Sequence, residues 1–282
     1  MRSKVIFPIW QVDAFASSVF EGNPAAVVAV NGRWPPDEIM QRIAMENNLS
    51  ETAFVRVLEE PVPLRWFTPR QEVPLCGHAT LATAAVIHEA LALVSPGSVL
   101  RFATASGPLY VRVGQSDYLL EFPARPTTAT SIPKAEVEKA LRCTTREIWE
   151  SVDRYVCVLD SEAAVRAARP DMTALSELPL PGLIITAAGQ DCDFVSRYFA
   201  PAKGVPEDPV TGTSHCTLAP FWGQRLARKT LRARQLSHRG GEIECSLHGD
   251  RVHLTGACKF YLRGSITVPI RGELALPHSP TG

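Results

Sequence analysis

Apolar and polar residues alternate along most of this chain, the period-two pattern that puts successive side chains on opposite faces of a strand. VIFPIWQVDAF, AAVVAV, TAFVRV, SVLRFATASGPLYVRV and YLLEF carry it in the first half. RYVCVL, GLIITAA, CDFVSRYF, EIECSL, RVHLTG and SITVPI carry it in the second, with Gly, Pro, Asn and Asp between runs. Two segments depart from it. GHATLATAAVIHEALALV (77–94) is small and apolar nearly all round, which predicts a buried helix. SHCTLAPFWGQRLARK (214–229) plays the same part later, with Pro220 expected to kink or shorten it. Surface helices are predicted at 36–46, 133–142 and 161–169.

The pattern also repeats. RWFTPRQEVP (65–74) matches RYFAPAKGVP (197–206) at Arg65 and Arg197, Phe67 and Phe199, Pro69 and Pro201, Val73 and Val205, and Pro74 and Pro206. HATLA (78–82) then matches HCTLA (215–219) in the same order, with five extra residues inserted in the second copy. Solenoid repeats are ~20 to 50 residues long, so similarity over about half the chain reads as two related lobes. The predicted fold class is α+β: two pseudo-symmetric lobes, each a curled mixed sheet or barrel around a central buried helix. Lobe one is expected at 1–122, with a returning strand near 266–275, and lobe two at 123–265. The Pro- and Thr-rich stretch EFPARPTTATSIP (121–133) is the natural crossing point. The tail after about residue 275 reads as loose.

A length of 282 residues suffices for two lobes with their own cores. The 29 basic and 29 acidic side chains balance, which argues against nucleic acid or an anionic membrane as the main partner. The basic run RLARKTLRARQLSHR (225–239) reads as a solvated helix face or edge strand. No apolar stretch approaches the ~18 to 20 residues of a membrane span, and the N-terminal segment lacks a secretory pattern. The seven cysteines show no CxxC pair and no metal-ligand spacing, so free thiols in a reducing cytoplasm are expected, with no structural metal and no disulfide framework.

The candidate chemistry gathers at the starts of the two buried helices. EDPVTGTSHC (207–216) sets carboxylates, hydroxyls and a His-Cys pair at one of them; Cys76, Gly77 and His78 open the other. Helix N-termini facing each other across a cleft offer free N–H groups to a carboxylate or oxyanion. Gly77 and Gly212 then read as positions of close backbone approach to a ligand. At the first repeat offset Cys76 falls opposite Asp208; at the second it falls opposite Thr213, and His78 opposite His215. Unlike groups on matching loops are one way to build a two-sided acid–base site. The alternative makes Asp208 and Thr213 capping residues. Glu51, in NNLSETAFV, reads either as part of a capping box with Ser50 or Asn48, or as a carboxyl whose pKa burial raises toward neutral.

GNPAAVV (22–28), NLSETAFV (48–55), RWFTP, EVPLCGHAT (72–80), EDPVTGTSH (207–215), SRYFAP (196–201) and SHRGGE (237–242) together resemble the phenazine-biosynthesis-like (PhzF) family. The branch they resemble is that of the phenazine biosynthesis-like domain-containing proteins, over about Asp13 to Gly256. The resemblance implies a diaminopimelate-epimerase-like fold, an active site between the lobes, cofactor-free isomerase chemistry and a homodimer. The characterised phenazine enzyme of the family isomerises trans-2,3-dihydro-3-hydroxyanthranilate. By that likeness Glu51 would shuttle the proton, while His78 and Asp208 would bind and polarise the substrate. Thr213 stands where the family has Ser, and Cys76 occupies a position where related epimerases carry one of two catalytic thiols.

The resulting expectation is a cytoplasmic, cofactor-independent isomerase that moves a proton on a small amino- or carboxyl-bearing molecule. Glu51, His78 and Asp208 are its expected catalytic residues; Cys76, Gly77, Gly212, Thr213 and Ser214 would contact the substrate. Two other readings stand beside it: an amino-acid racemase or epimerase using Cys76 with a carboxylate, and a noncatalytic binding or regulatory protein on the same fold.

Overall fold

The computed structural model describes residues 3–270. In the first lobe, β1 (Ser3–Ala14), β2 (Asn23–Ala29), α1 (Asp37–Asn47), β3 (Glu51–Val55), β4 (Val62–Phe67) and β5 (Glu72–Val73) lead into α2 (Gly77–Ala85). A π-helical turn, Val86–Ala90, extends α2 before β6 (Val99–Thr104), β7 (Gly107–Val113) and β8 (Tyr118–Pro123). The connection carries β9 (Thr128–Ala129) and α3 (Lys134–Leu141). The second lobe follows with β10 (Glu147–Ser151), β11 (Arg154–Val158), α4 (Glu162–Ala167), α5 (Met172–Ser176), β12 (Gly182–Ala188), β13 (Phe194–Ala200) and β14 (Val205–Asp208). Then come α6 (Gly212–Leu226), β15 (Thr230–Gln235), β16 (Gly241–His248), β17 (Arg251–Gly256) and β18 (Cys258–Ile270).

The strand pairings repeat in order. In lobe one, β1–β2 is antiparallel, β2–β3 parallel, β3–β4 antiparallel, β4–β6 parallel, and β6–β7 and β7–β8 antiparallel. In lobe two, β10–β11, β11–β12, β12–β13, β13–β15, β15–β16 and β16–β17 run through the same series of directions. β8 then pairs antiparallel with β17, its own counterpart, and joins the halves into one sheet. The parallel strands are covered on both faces, which is why β2 and β11 read as nearly unbroken apolar runs.

Three cores follow from this layering. The central one holds both inner helices, with Leu81, Ala85, Leu218 and Trp222 packed among Trp66, Phe102, Tyr118 and Leu254. α1 closes a second against the outside of the first sheet, through Met40, Ile43 and Phe54. α3, α4 and α5 close the third, through Leu141, Val165, Leu175 and Phe199.

Several sequence expectations shift. α6 runs unbroken through Pro220. The carbonyl that a proline cannot bond is that of Cys216, four residues back, and it accepts instead from the Arg125 backbone N–H at 3.0 Å. The basic run is no edge strand: β15 lies between β13 and β16. Four of its arginines pair with acids: Arg225 with Glu147, Arg228 with Asp193, Arg234 with Glu242 and Arg239 with Asp13. β18 starts at Cys258, earlier than the strand expected near 266–275, and pairs with β1 from Ser3 to Ala14. Residues 271–275 and the tail lie outside the described residues. All seven cysteines are unpaired. No helix among the described residues is long and apolar enough to cross a membrane.

Candidate active site

α2 and α6 begin alike. Cys76 and Thr211 sit in extended N-cap conformations before Gly77 and Gly212, and neither side chain caps its helix. Cap-to-cap, the offset is 135 residues (76 to 211). Glu72 and Glu207 obey the same offset: Arg65 grips Glu72 through two hydrogen bonds of 2.7 and 2.6 Å, and Arg197 grips Glu207 at 2.7 and 2.9 Å. The structural partner of Cys76 is therefore Thr211, where sequence matching put it opposite Asp208 or Thr213.

This register decides the fate of the two histidines. His215 lies two residues further along its helix than His78 does, which turns it by roughly 200° at 3.6 residues per turn. It points into the core, fully buried, with Nδ1 2.8 Å from the Thr211 carbonyl and its ring tilted against Phe194. Burial pulls its pKa down to about 4, so it is neutral. His78 instead turns toward β3, where Glu51 is the first residue, and its Nε2 lies 3.1 Å from Glu51 Oε2. Neither atom has an aligned hydrogen-bond partner. Nδ1 of the same ring is 3.5 Å from Cys76 Sγ.

The capping-box reading of Glu51 fails, because no helix follows it. Asn48 is the left-handed C-cap of α1, with its N–H on the Ala44 carbonyl, and the chain enters β3 at Glu51. β3 runs parallel to β2, so Glu51 shares a sheet end with Asn23, the first residue of β2.

Asp208 ends β14 and belongs to the same group. Its Oδ1 accepts from Asn23 Nδ2 at 2.8 Å and its Oδ2 from Thr211 Oγ1 at 2.5 Å. Burial pushes its pKa up to about 6; His78 opposes the rise, and the like charge of Glu51 adds to it. Burial alone would depress the pKa of His78, but Cys76 and Glu51 outweigh it and raise the value well above the ordinary range. Its two neighbours thus favour the protonated ring. Burial, then Glu51, pushes the Cys76 thiol up to about 11, so it keeps its proton at neutral pH.

The remaining expected contacts divide. Thr213 Oγ1 and Ser214 Oγ both accept from Arg154 Nη1, at 3.3 and 3.1 Å. Ser214 is fully buried, and its N–H donates to the Thr211 carbonyl. Thr213 is half-buried and lines a cavity of about 340 Å³ with Leu75, Tyr110, Phe122, Arg125 and Arg251. A Cβ on Gly77 would meet the Phe122 ring at 3.4 Å, and one on Gly212 would meet Leu254 at 3.5 Å. Both glycines thus turn their bare side to the strands beneath, β8 and β17.

Sequence reasoning passed over three residues. Asn23 and Gln235 are buried, and Thr211 nearly so. Gln235 holds the Asp208 loop in place: Nε2 donates to the Asp208 carbonyl at 2.7 Å, and Oε1 accepts the Thr211 N–H at 2.9 Å. Asn23 stood in the GNP motif and Thr211 in EDPVTG, while Gln235 stood in neither. Glu51, Cys76 and His78 also bring one donor atom each within 4.8 Å of the others, a set that could hold a cation.

Residues 12–268 match the family model for phenazine biosynthesis-like protein, PhzC-PhzF. An uncharacterized isomerase of Pseudomonas aeruginosa is 49% identical over 257 residues, covering 91% of this chain and 97% of that one. Phenazine biosynthesis-like domain-containing protein 1 of mouse is 40% identical over 288 residues, covering 92% and 99%. A PhzF-family crystal structure from Enterococcus faecalis superposes with a TM-score of 0.89 at 42% identity, over 93% of this chain and 99% of that one. A hydroxyproline epimerase from Agrobacterium vitis shares the fold alone, with a TM-score of 0.60 at 11% identity over 95% and 94% of the two chains. The architecture is the diaminopimelate-epimerase-like fold. With its two-lobed sheet and a family match that spans both halves, the chain belongs to the phenazine biosynthesis-like (PhzC-PhzF) family.

Proposed function

We propose that this protein is a cofactor-independent isomerase that moves a proton on a small amino- or carboxyl-bearing substrate held between the lobes. Glu51 is the base, and His78 and Asp208 bind and polarise the substrate. One observation carries the reading: Glu51 Oε2 and His78 Nε2 approach to 3.1 Å, buried, yet neither is committed to an aligned hydrogen bond. A carboxylate and an imidazolium so placed can accept a proton from carbon and meet the charge that develops. Asp208, with its raised pKa, can hold an amino group as carboxylate or donate as the acid near pH 6. Two relatives bearing the name isomerase, and family membership along the chain, support the reaction class. The substrate expectation, the homodimer and the cytoplasmic location come from the family likeness and join the proposal on that footing.

The test is solvent deuterium incorporation. The protein is incubated in D2O with amino acids, diaminopimelate and trans-2,3-dihydro-3-hydroxyanthranilate, beside Glu51→Gln, and C–H loss is read by NMR. Isomerisation of one compound, reduced at least ~10²-fold in Glu51→Gln, is the expected result for a general base. Turnover that persists in that variant would exclude Glu51 as the base.

A further inference from the structure

Glu51 and Cys76 flank one imidazole ring, each facing a different nitrogen. Cys76 Sγ lies 3.5 Å from Nδ1 of His78, and Glu51 Oε2 lies 3.1 Å from Nε2. The ring could have held them far apart. It does not: one donor atom from each of the three residues lies within 4.8 Å of the other two. Inversion at a carbon needs two bases on opposite faces, each ~3 to 3.5 Å from it and so roughly 6 to 7 Å from each other. A thiol and a carboxylate within 4.8 Å leave no room for a carbon between them. Both therefore address the same face of whatever binds.

The two groups also rest in complementary states. The thiol is 6% exposed at the N-cap of α2, with no charged group of its own helix beside it except His78. Glu51 reaches it from β3, and Asp208 approaches the His78 side from β14. Burial and the Glu51 charge raise the thiol, which keeps its proton at neutral pH and can give it up as an acid. His78 Nε2, itself buried, has no aligned partner and is the open end of the connection.

We propose that Cys76 is a catalytic acid, delivering its proton to a second carbon on the face from which Glu51 removes the first. The proposal rests on the isomerase reading above. The Glu51 carboxylate takes a proton from one carbon, and the released electron pair shifts along the substrate. The second carbon takes the proton of the Cys76 thiol, leaving a thiolate. The His78 imidazolium then restores the thiol by passing its Nδ1 proton to sulfur; as product leaves, Glu51 gives its proton to solvent and Nδ1 takes one back from solvent. Atoms and charge balance, and no oxidant or second substrate is needed. This makes a same-face shift the native chemistry and removes the opposed-base racemase that would pair Cys76 with Glu51.

The first measurement needs no substrate. Iodoacetamide alkylation of Cys76, followed by peptide mass spectrometry across pH, reports the thiol's titration in the wild type, Glu51→Gln and His78→Asn. The midpoint is expected to fall by half a pH unit or more in Glu51→Gln and to rise in His78→Asn; coincident midpoints would overturn the relay. The second measurement separates a proton donor from a merely neighbouring thiol. With the compound that the wild type isomerises in D2O, Cys76→Ser should retain deuterium wash-in at the first carbon within about threefold. Product formation should fall at least ~10²-fold, the usual contribution of one acid. Equal retention, or an equal fall, of both would sink the proposal. Loss of wash-in in Glu51→Gln concerns the isomerase reading instead, so the two fail separately. Thermal melting of each variant checks that the fold is kept.

Discussion

The side-chain amide of Asn23, at the start of β2, donates to Oδ1 of Asp208, at the end of β14, over 2.8 Å. The same amide donates to the Val210 carbonyl at 2.9 Å. These bonds cross from one lobe to the other and fix the carboxylate that faces His78. Asn23→Ala should leave buried acceptors unpaired and cost about 1–3 kcal/mol in urea unfolding. It also removes a bond that favours the charged carboxyl, so an NMR titration should find the Asp208 pKa above its present value of about 6.

Asp208 itself is held at a thermodynamic cost. Its pKa rises from 3.8 to about 6 on folding, so the folded state binds the proton more tightly. Stability is therefore lost as pH rises from about 4 to 6, by up to ~3 kcal/mol at 1.36 kcal/mol per unit. Asp208→Asn should raise the melting temperature at pH 7.5 and show little gain at pH 4. The gain will be smaller than the full figure, because one of two donors, from Asn23 or Thr211, loses its acceptor. Activity should fall sharply in the same variant.

His215 gives the opposite limb. Its pKa drops from 6.5 to about 4 on folding, so the unfolded chain binds the proton more tightly in that window. Stability should decline as pH falls from 6.5 toward 4, by up to ~3 kcal/mol from this one group. His215→Gln should flatten that part of the stability–pH curve, measured by denaturant midpoint, even where it lowers stability overall through lost packing against Phe194.

A second tie between lobes runs through Arg239. Its guanidinium donates to Asp13 Oδ1 at 2.8 Å and to the carbonyls of Glu21 and Gly22, both at 2.9 Å. Asp13 is 1% exposed, so Arg239→Ala strands a buried charge and should cost about 3–5 kcal/mol. Arg239→Lys should recover only part of this, since an ammonium cannot reproduce the forked contact. Chemical denaturation of the three proteins checks the order.

Much of the architecture was readable before any coordinates. Alternation marked the strands, and the nearly all-apolar stretch at 77–94 marked the buried helix that α2 and its π-helical turn form. The surface helices came within a residue or two of α1, α3 and α4, although α5, a five-residue helix, left no pattern long enough to see. The repeat announced the two lobes, yet its register was misjudged at the one place where chemistry depends on it. HATLA and HCTLA match as strings, but helices are aligned by their caps. The caps pair Cys76 with Thr211 and send His215 into the core.

What the sequence determined by itself is what local periodicity and composition can carry: strands, buried helices, two related halves, and the residue types gathered at the helix starts. Glu51, Cys76 and His78 were nameable because each stands in a short contiguous motif. Their mutual distances were not, and neither were Asn23 and Gln235 as partners of the Asp208 loop. Those bonds join residues 185 and 27 positions apart, and they exist only once β2 and β15 are brought to the end of β14. The approach of Glu51 and Cys76 to one imidazole, a raised carboxyl and a neutral core histidine are properties of burial and proximity. A chain acquires them only when strands and helices far apart in sequence pack together.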